Sequence, residues 1–599
     1  MKVFYSLMLM PVLWLGSYIV YRTCNHGLAS NAKLQQLLRY LAASAVAVVP
    51  LAVSGADPFQ PAIVLMLAVS FLWVVTYPLC YHLTHRHTSP DYDHRIDGAF
   101  GIYLFGWLTA LTVVAVGTAG DKGGMPMGLL MFALLLLPFG QWVYFLMYRS
   151  VPDESGMLLI QNTDYNEVIE FVRSYSIAFV ASVVLAVIAL AAGCVAVPMV
   201  WPFHTDPLSW WQIALAVVVF GFTSVYLWKP RRGLFVRTGI MQLFLSVKEY
   251  VANNRLYADE QDQRLSALSV HANSTLSAPH TIILVIGESA SRDYMSAFTD
   301  MAEHTTPWLK TVGSDTAHGI LFPNAYSCDI QTVPTLTRAL TELNQYDGGV
   351  FYKSCSIIDI AHQLGYRVHW YSNQGQIGAA DTPITLIANT ADVTKWTRQQ
   401  LNQVQYDEAL LDFMDEVDPT RNNLVVFHLM GSHFNYENRF TEATRQWGSP
   451  ANHDPITNYK NALYYTDQVL KRIHERACER LNLQAMVYFS DHAEVPDRHR
   501  QPQFNGFAYT RIPLMVWMGD DFISVRPHRA EALRQNKDRY WTNDLAYELM
   551  CGLMDAGSNR FREDNSLASA AYRFKREELT AMGGKIQIKD DYLDKTSIS

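Results

Sequence analysis

Thr281-Ile-Ile-Leu-Val-Ile-Gly287, followed at once by Glu288-Ser289, is the stretch on which the reading of the fold turns. A short unbroken apolar run of this kind, closed by glycine and then a carboxylate, reads as a strand buried on both faces. Similar runs recur at Val368–Ser372, Leu424–Leu429, Ala485–Phe489 and Ile512–Trp517. Helical periods lie between them at Val333–Leu343, Ile358–Leu364, Asp407–Val417, Asn458–Leu481 and Asn543–Ala556. The alternation predicts an α/β soluble domain over 280–599 with a mostly parallel sheet and helices on both faces.

In such sheets ligands gather beyond the carboxyl ends of the strands. The first strand ends at Glu288, the strand Leu424–Phe427 runs into His428-Leu-Met-Gly-Ser-His433, and Met486–Phe489 runs into Ser490-Asp491-His492-Ala493-Glu494. Carboxylates and imidazoles from three strands at one edge form a donor set that Zn²⁺ or Mn²⁺ accepts. Between the first two lies Ser327-Cys328-Asp-Ile-Gln-Thr332-Val-Pro334-Thr335, which leads into a helix. Thr332 there is an N-cap or a nucleophile whose hydroxyl a metal or base activates. Thr335 and Thr337 compete for that role.

Upstream, the chain changes character. The 599 residues carry 102 Lys, Arg, Asp and Glu, of which 21 fall in residues 1–230, about 9% there against about 22% afterwards. Uncharged apolar stretches near Val3–Tyr21, Tyr40–Gly55, Pro61–Tyr81, Gly98–Gly117, Met127–Met147, Ser174–Trp201 and Trp210–Trp228 approach or reach bilayer length. We therefore expect an α-helical transmembrane domain over 1–231 with six to seven helices, the Tyr40–Gly55 span being the weakest because it is short and contains Pro50. An amphipathic interfacial helix at Gly239–Asn254 and a polar linker at Gln261–Pro279 would fill 232–279. Disorder, a disulfide miniprotein and a fully cytosolic enzyme are excluded. A net charge of −8 offers no nucleic-acid footprint.

The motifs together resemble the membrane-bound phosphoethanolamine transferases of Gram-negative bacteria, within the alkaline phosphatase/sulfatase superfamily. They are Ile-Gly-Glu288-Ser-Ala-Ser-Arg-Asp, His304-Thr-Thr-Pro-Trp-Leu309, the Thr332 segment, Gly365-Tyr-Arg-Val-His-Trp-Tyr-Ser-Asn-Gln374, His428-Leu-Met-Gly-Ser-His433, Tyr459–Asp467 and Ser490-Asp-His492. The branch acting on the lipopolysaccharide core is the nearer one, since the chain is poor in cysteine and has Ser-Asn-Gln. The resemblance implies Glu288, Thr332, Asp491 and His492 around one or two Zn²⁺ ions. The nine positions from Thr332 to Thr341 match the family spacing and assign the nucleophile to Thr332. His433 would bind donor lipid, an accessory metal or the transferred phosphate, and Thr163 and Glu167 of Gln161–Glu167 would hold the head group, a polar turn being the bland alternative. The donor would be phosphatidylethanolamine, the acceptor a cell-envelope glycolipid, and the location the bacterial inner membrane with the catalytic domain in the periplasm.

Three features pull against this. Arg22, Lys33 and Arg39 after the first span, with Arg86 and Arg95 after the third, would by the positive-inside rule put the C-terminal domain in the cytoplasm. Catalytic logic outweighs these few residues. The family's Ser-Asp-His-Gly-Glu has Ala493 in place of glycine here, which restricts the backbone if positive φ is needed. The family histidine after this motif has only His499 as its candidate. A membrane-tethered phosphodiesterase or sulfatase-like hydrolase, and a non-catalytic membrane binding protein, are the alternative readings. Of seven cysteines, Cys24, Cys80 and Cys194 read as packing residues, Cys478 and Cys551 as buried thiols, and Cys328 and Cys355 as either a disulfide or free thiols.

Overall fold

The computed structural model describes residues 6–24, 30–84, 95–119, 124–148, 172, 175–242, 245, 256–374, 382–397, 405–451, 453–498, 504 and 506–592. These fall into two compact units, one drawn from Met1–Leu158 and Tyr175–Lys248, the other from Leu159–Ser174 and Glu249–Ser599.

The first unit is all helical: α1 Leu9–Cys24, α2 Ser30–Ser54, α3 Pro61–Thr84, α4 Arg95–Ala119, α5 Gly124–Tyr148, α6 Ile177–Val200 and α7 Trp210–Trp228. Among the described residues α2 to α7 are long and apolar enough to cross a bilayer, so this is a multi-pass membrane protein. The described part of α1 has 16 residues. The span expected to be weakest is a full 25-residue helix. Lys33 and Arg39 hid its first turns, because a charged flank breaks an apolar window without breaking the helix, and Pro50 lies inside it. Most of the amphipathic helix expected at Gly239–Asn254 lies outside the described residues.

In the second unit seven strands form one sheet: β1 Thr281–Gly287, β2 Gly319–Leu321, β3 Arg367–Ser372, β4 Val393–Trp396, β5 Asn423–His428, β6 Leu483–Ser490 and β7 Leu514–Met518. Their order is β2-β7-β6-β1-β5-β3-β4. β1 pairs in parallel with β5 and β6, as do β3 with β5 and β4, while β7 is antiparallel to β6 and β2. The unbroken apolar runs have a direct cause. Ile282, Leu284 and Ile286 enter one core and Ile283 and Val285 the other, and β5 and β6 alternate likewise. Helices α8 Thr332–Ala339, α9 Ile357–Gln363 and α11 Ala546–Met554 cover the first face, and α10 Pro455–Arg480 covers the second. Asp407–Val417 is largely a 3₁₀ helix. β2 and β4 escaped the sequence reading because they are short and partly exposed, so they lack the buried signature.

Gln261–Pro279, expected as a linker, is built into this unit instead. Val270–Ala272 pairs antiparallel with Ala556–Ser558, and Ser274 Oγ donates to Asp555 at 2.6 Å. Arg264, within that segment, is buried over the Tyr257 ring and 3.6 Å from Asp359. Cys328 and Cys355 are free, which removes the disulfide, and Cys478 is exposed rather than buried.

Candidate active site

β1 is the central strand, with β5 and β6 on its two sides, and register brings Ile286 opposite His428 and Gly287 opposite Ser490. Their carboxyl ends therefore open at one point, where Glu288, Asp491 and His492 meet. Side-chain ligand atoms of these three buried residues lie within 4.8 Å of one another. The turn after Glu288 is fixed by Ser289, whose φ of 57° is the left-handed conformation that non-glycine residues seldom hold. Its N–H donates to Asp491 Oδ1 at 2.9 Å, its Oγ to Glu288 Oε1 at 2.7 Å, and its carbonyl accepts from Tyr459 at 2.7 Å. Those bonds hold the strained turn in place.

Thr332 is the first residue of α8. Gln331 precedes it as the cap residue, with no side-chain capping bond. The Thr332 hydroxyl is thus free of capping duty. It donates to Glu288 Oε2 at 3.2 Å and lies 3.5 Å from His492 Nε2. Its competitors are committed to backbone carbonyls, Thr335 to Asp329 at 3.3 Å and Thr337 to Val333 at 2.6 Å, and both are buried. Sequence-distant Glu288, Thr332, Asp491 and His492 are therefore brought together.

The donor chemistry of this cluster fits a divalent cation. His492 Nδ1 lies 3.0 Å from the Ala493 carbonyl. A carbonyl only accepts, so Nδ1 carries a proton and the ring turns Nε2 into the cluster. There Nε2 lies 3.2 Å from Asp491 Oδ2 and 3.4 Å from Glu288 Oε1, where a cation would take its lone pair. Asp491 Oδ2 accepts no hydrogen bond among the described residues. Burial tends to raise the Glu288 carboxyl, but the hydrogen bond and charge of His492, with the charge of His433, hold it well below the usual range. Burial and the neighbouring Glu288 push Asp491 well above it. Two carboxylates packed this closely need a positive charge between them to ionise together. Oxygen and nitrogen donors of this kind suit Zn²⁺.

Several supports had no role in the sequence reading. Gln374 Nε2 donates to Glu288 Oε2 and to the Leu429 carbonyl, both at 2.9 Å. Asn543, fully buried, accepts from Cys328 N–H at 2.9 Å and donates to the carbonyls of Asp491 at 2.7 Å and Ser490 at 3.2 Å. It thereby ties the segment before Thr332 to the turn bearing Asp491. Asp407 accepts from the N–H groups of Met430 and Gly431 and from Asn373, which fixes the loop that carries His433. Gln374 stood in a quoted motif, and Asn543 at the start of a predicted helix. Neither position says which backbone groups it reaches.

His433 lies on the loop after β5, near enough for its charge to act on Glu288. Ala493 is not among the residues with positive φ, so the glycine it replaces is not demanded by backbone geometry. His499, Thr163 and Glu167 lie outside the described residues.

The model of the Sulfatase family matches residues 280–555. Those residues are similar to a sulfatase domain. The chain is 25% identical over 437 residues to phosphoethanolamine transferase EptC of Escherichia coli K12, covering 64% of this chain and 72% of that protein. To phosphoethanolamine transferase OpgE of the same strain it is 27% identical over 329 residues, 51% and 59% of the two chains. The solved integral membrane lipooligosaccharide phosphoethanolamine transferase A of Neisseria meningitidis superposes with a TM-score of 0.57 at 19% identity, over 84% of this chain and 98% of that one. The helical unit and the α/β unit thus each have the fold of that protein, and the chain is similar in sequence to phosphoethanolamine transferases.

Proposed function

We propose that this inner-membrane enzyme transfers phosphoethanolamine from phosphatidylethanolamine to a cell-envelope glycolipid on the periplasmic side, through a phosphothreonine-type intermediate on Thr332. The observation that carries the reading is the Thr332 hydroxyl, 3.2 Å from Glu288 and 3.5 Å from His492 at the open edge of the sheet. Glu288, Asp491 and His492 would hold Zn²⁺, one ion at this cluster, which lowers the pKa of an adjacent hydroxyl and screens developing phosphoryl charge.

Thr332 attacks the donor phosphorus in line, the P–O bond to diacylglycerol breaks, and Thr332 keeps the phosphoethanolamine group. The hydroxyl is already oriented by Glu288 Oε2, so little motion precedes attack. Once transferred, the group would lie at the N-terminus of α8, the helix end whose dipole favours an anion. An acceptor hydroxyl or phosphate then displaces it and frees Thr332, a ping-pong cycle. His433, on the neighbouring loop, is proposed to meet the phosphate or head group. Thr163 and Glu167 are proposed to hold the ethanolamine end, and His499 to stand for the second histidine.

Mass spectrometry of the purified full-length protein incubated with phosphatidylethanolamine should find the adduct on Thr332 and none in Thr332→Ala. Diacylglycerol release should rise on adding a glycolipid acceptor. Equal release without acceptor would make the protein a hydrolase, and full transfer by Thr332→Ala would remove the nucleophile assignment.

A further inference from the structure

The last membrane helix does not simply run out into solvent. After α7 the chain winds into a tight turn: Gly233 N–H bonds the Lys229 carbonyl at 2.7 Å and Leu234 N–H the Tyr226 carbonyl at 3.0 Å. Arg231 takes the left-handed conformation at φ 62°. A side chain at Gly233 would meet the Leu227 carbonyl at 2.4 Å, so only glycine fits. Leu234 is buried, and Phe235 packs on Trp228, Phe100 and Trp73 with ring centroids 4.9, 5.8 and 5.9 Å apart. This aromatic plug turns Lys229, Arg231, Arg232 and Arg237 outward, and all four are exposed. No acidic residue lies between positions 229 and 237.

More positive charge lies at the same end of the helical unit. Tyr40 donates to the Arg95 carbonyl at 3.1 Å, and Gly239 N–H to Asp97 at 3.2 Å. The starts of α2 and α4 therefore share an end with this turn, and Arg39 and Arg95 there are exposed too. Among the described residues Arg22, Lys33, Arg39, Arg95, Lys229, Arg231, Arg232 and Arg237 lie at this end of the helical unit, and no Lys or Arg lies at the other. Under the proposed function this side is the periplasm, where Lys and Arg near spans are normally scarce. Eight against none among the described residues is a bias that this orientation disfavours.

The geometry points to an anion-docking surface at Lys229, Arg231 and Arg232 that recruits the phosphate groups of a lipid-anchored glycolipid acceptor. This inference rests on the proposed transfer reaction and names the surface that selects its second substrate. The donor does not need such a surface, because phosphatidylethanolamine pairs its phosphate with its own ammonium and has no net charge. A phosphate-bearing acceptor does, since juxtamembrane Lys and Arg each contribute on the order of 1 kcal/mol toward anionic headgroups. A preformed turn presents its charges without first being ordered.

The ping-pong cycle separates the two substrates experimentally. Lys229→Gln, Arg231→Asn and Arg232→Gln are combined in the full-length enzyme, asparagine keeping the left-handed residue. Thr332 adduct formation from phosphatidylethanolamine should match wild type, which also reports intact folding. The KM for a diphosphorylated disaccharide lipid should rise roughly 10- to 100-fold, while a dephosphorylated counterpart should be unaffected. Direct binding of the phosphorylated lipid to protein in phosphatidylcholine nanodiscs should weaken equally, and raised salt should do the same to wild type. Unchanged binding in the variant would overturn the inference. So would equal competition by phosphatidylglycerol, which would make the surface a general membrane contact. An absence of adduct in wild type would instead condemn the transfer reading, and the nanodisc binding would still judge the surface.

Discussion

Gln374 Nε2 donates to Glu288 Oε2 at 2.9 Å, the same oxygen that accepts the Thr332 hydroxyl. The glutamine is itself held by the Leu429 carbonyl at 2.9 Å, so it fixes the plane of the Glu288 carboxylate. Removing such an orienting partner typically costs 10- to 100-fold in metal affinity. Gln374→Ala should therefore weaken zinc binding by about that factor in chelator competition, with little change in unfolding temperature because the side chain is half-buried. Wild-type affinity in the variant would show that Glu288 is oriented without it.

Asn543 makes a different kind of link. Its Oδ1 takes the Cys328 N–H and its Nδ2 takes the Asp491 carbonyl, so one buried amide sets the spacing between the Thr332 segment and the Asp491 turn. Asn543→Ala would orphan these backbone groups, each costing about 1–3 kcal/mol. We expect a lower unfolding temperature together with slower adduct formation on Thr332 at saturating zinc. A variant that unfolds early yet forms adduct at the normal rate would reduce Asn543 to a purely structural residue.

These two residues mark where sequence stops being informative. β1, β5 and β6 were legible because burial on both faces writes an unbroken apolar run, and Glu288, Asp491 and His492 were legible because they follow those runs directly. Thr332 was harder, since Thr335 and Thr337 share its segment. The resemblance favoured Thr332 by its spacing to Thr341, and in the structure the other two hydroxyls are engaged by backbone carbonyls. Gln374 and Asn543 act on backbone atoms brought close by the fold, and no spacing rule encodes such a contact. The same limit applies to the segment expected as a linker, where Arg264 is buried beside Asp359. Short strands β2 and β4 have too few residues to show any period.

Asp467 supplies a pH dependence away from the cluster. On α10 it accepts the N–H groups of Trp308 at 2.8 Å and Leu309 at 2.9 Å, at the start of the helix Pro307–Ser314. Burial raises its carboxyl to about 7 against those two bonds. An acid raised in the folded state takes up a proton on folding, so its stabilising contribution is full below its unfolded value near 4 and is lost as pH rises through 7. Within that window each pH unit is worth up to about 1.4 kcal/mol. The full-length protein should gain unfolding temperature from pH 7.5 to 5 relative to Asp467→Asn. Parallel curves for the two proteins would contradict the assignment.

Gly431 closes the cluster from the β5 side. It has φ 51°, and its N–H donates to Asp407 at 2.9 Å. A Cβ there would lie 2.8 Å from the Glu288 carbonyl oxygen and 3.0 Å from its nitrogen, both backbone atoms that cannot swing aside. Gly365 is the natural control: its φ is also positive, at 81°, but a Cβ would meet nothing within 4 Å. Alanine at either site carries left-handed strain of about 1–2 kcal/mol, and only at 431 does it also push on the residue proposed to ligate zinc. Gly431→Ala should therefore lose zinc affinity and Thr332 adduct formation, whereas Gly365→Ala should lose stability alone. If both variants keep wild-type affinity, the loop yields to the methyl group and Gly431 is conformational only. If both lose it, strain spreads through β3 and β5 to the cluster, and the contact between Gly431 and Glu288 is not what matters.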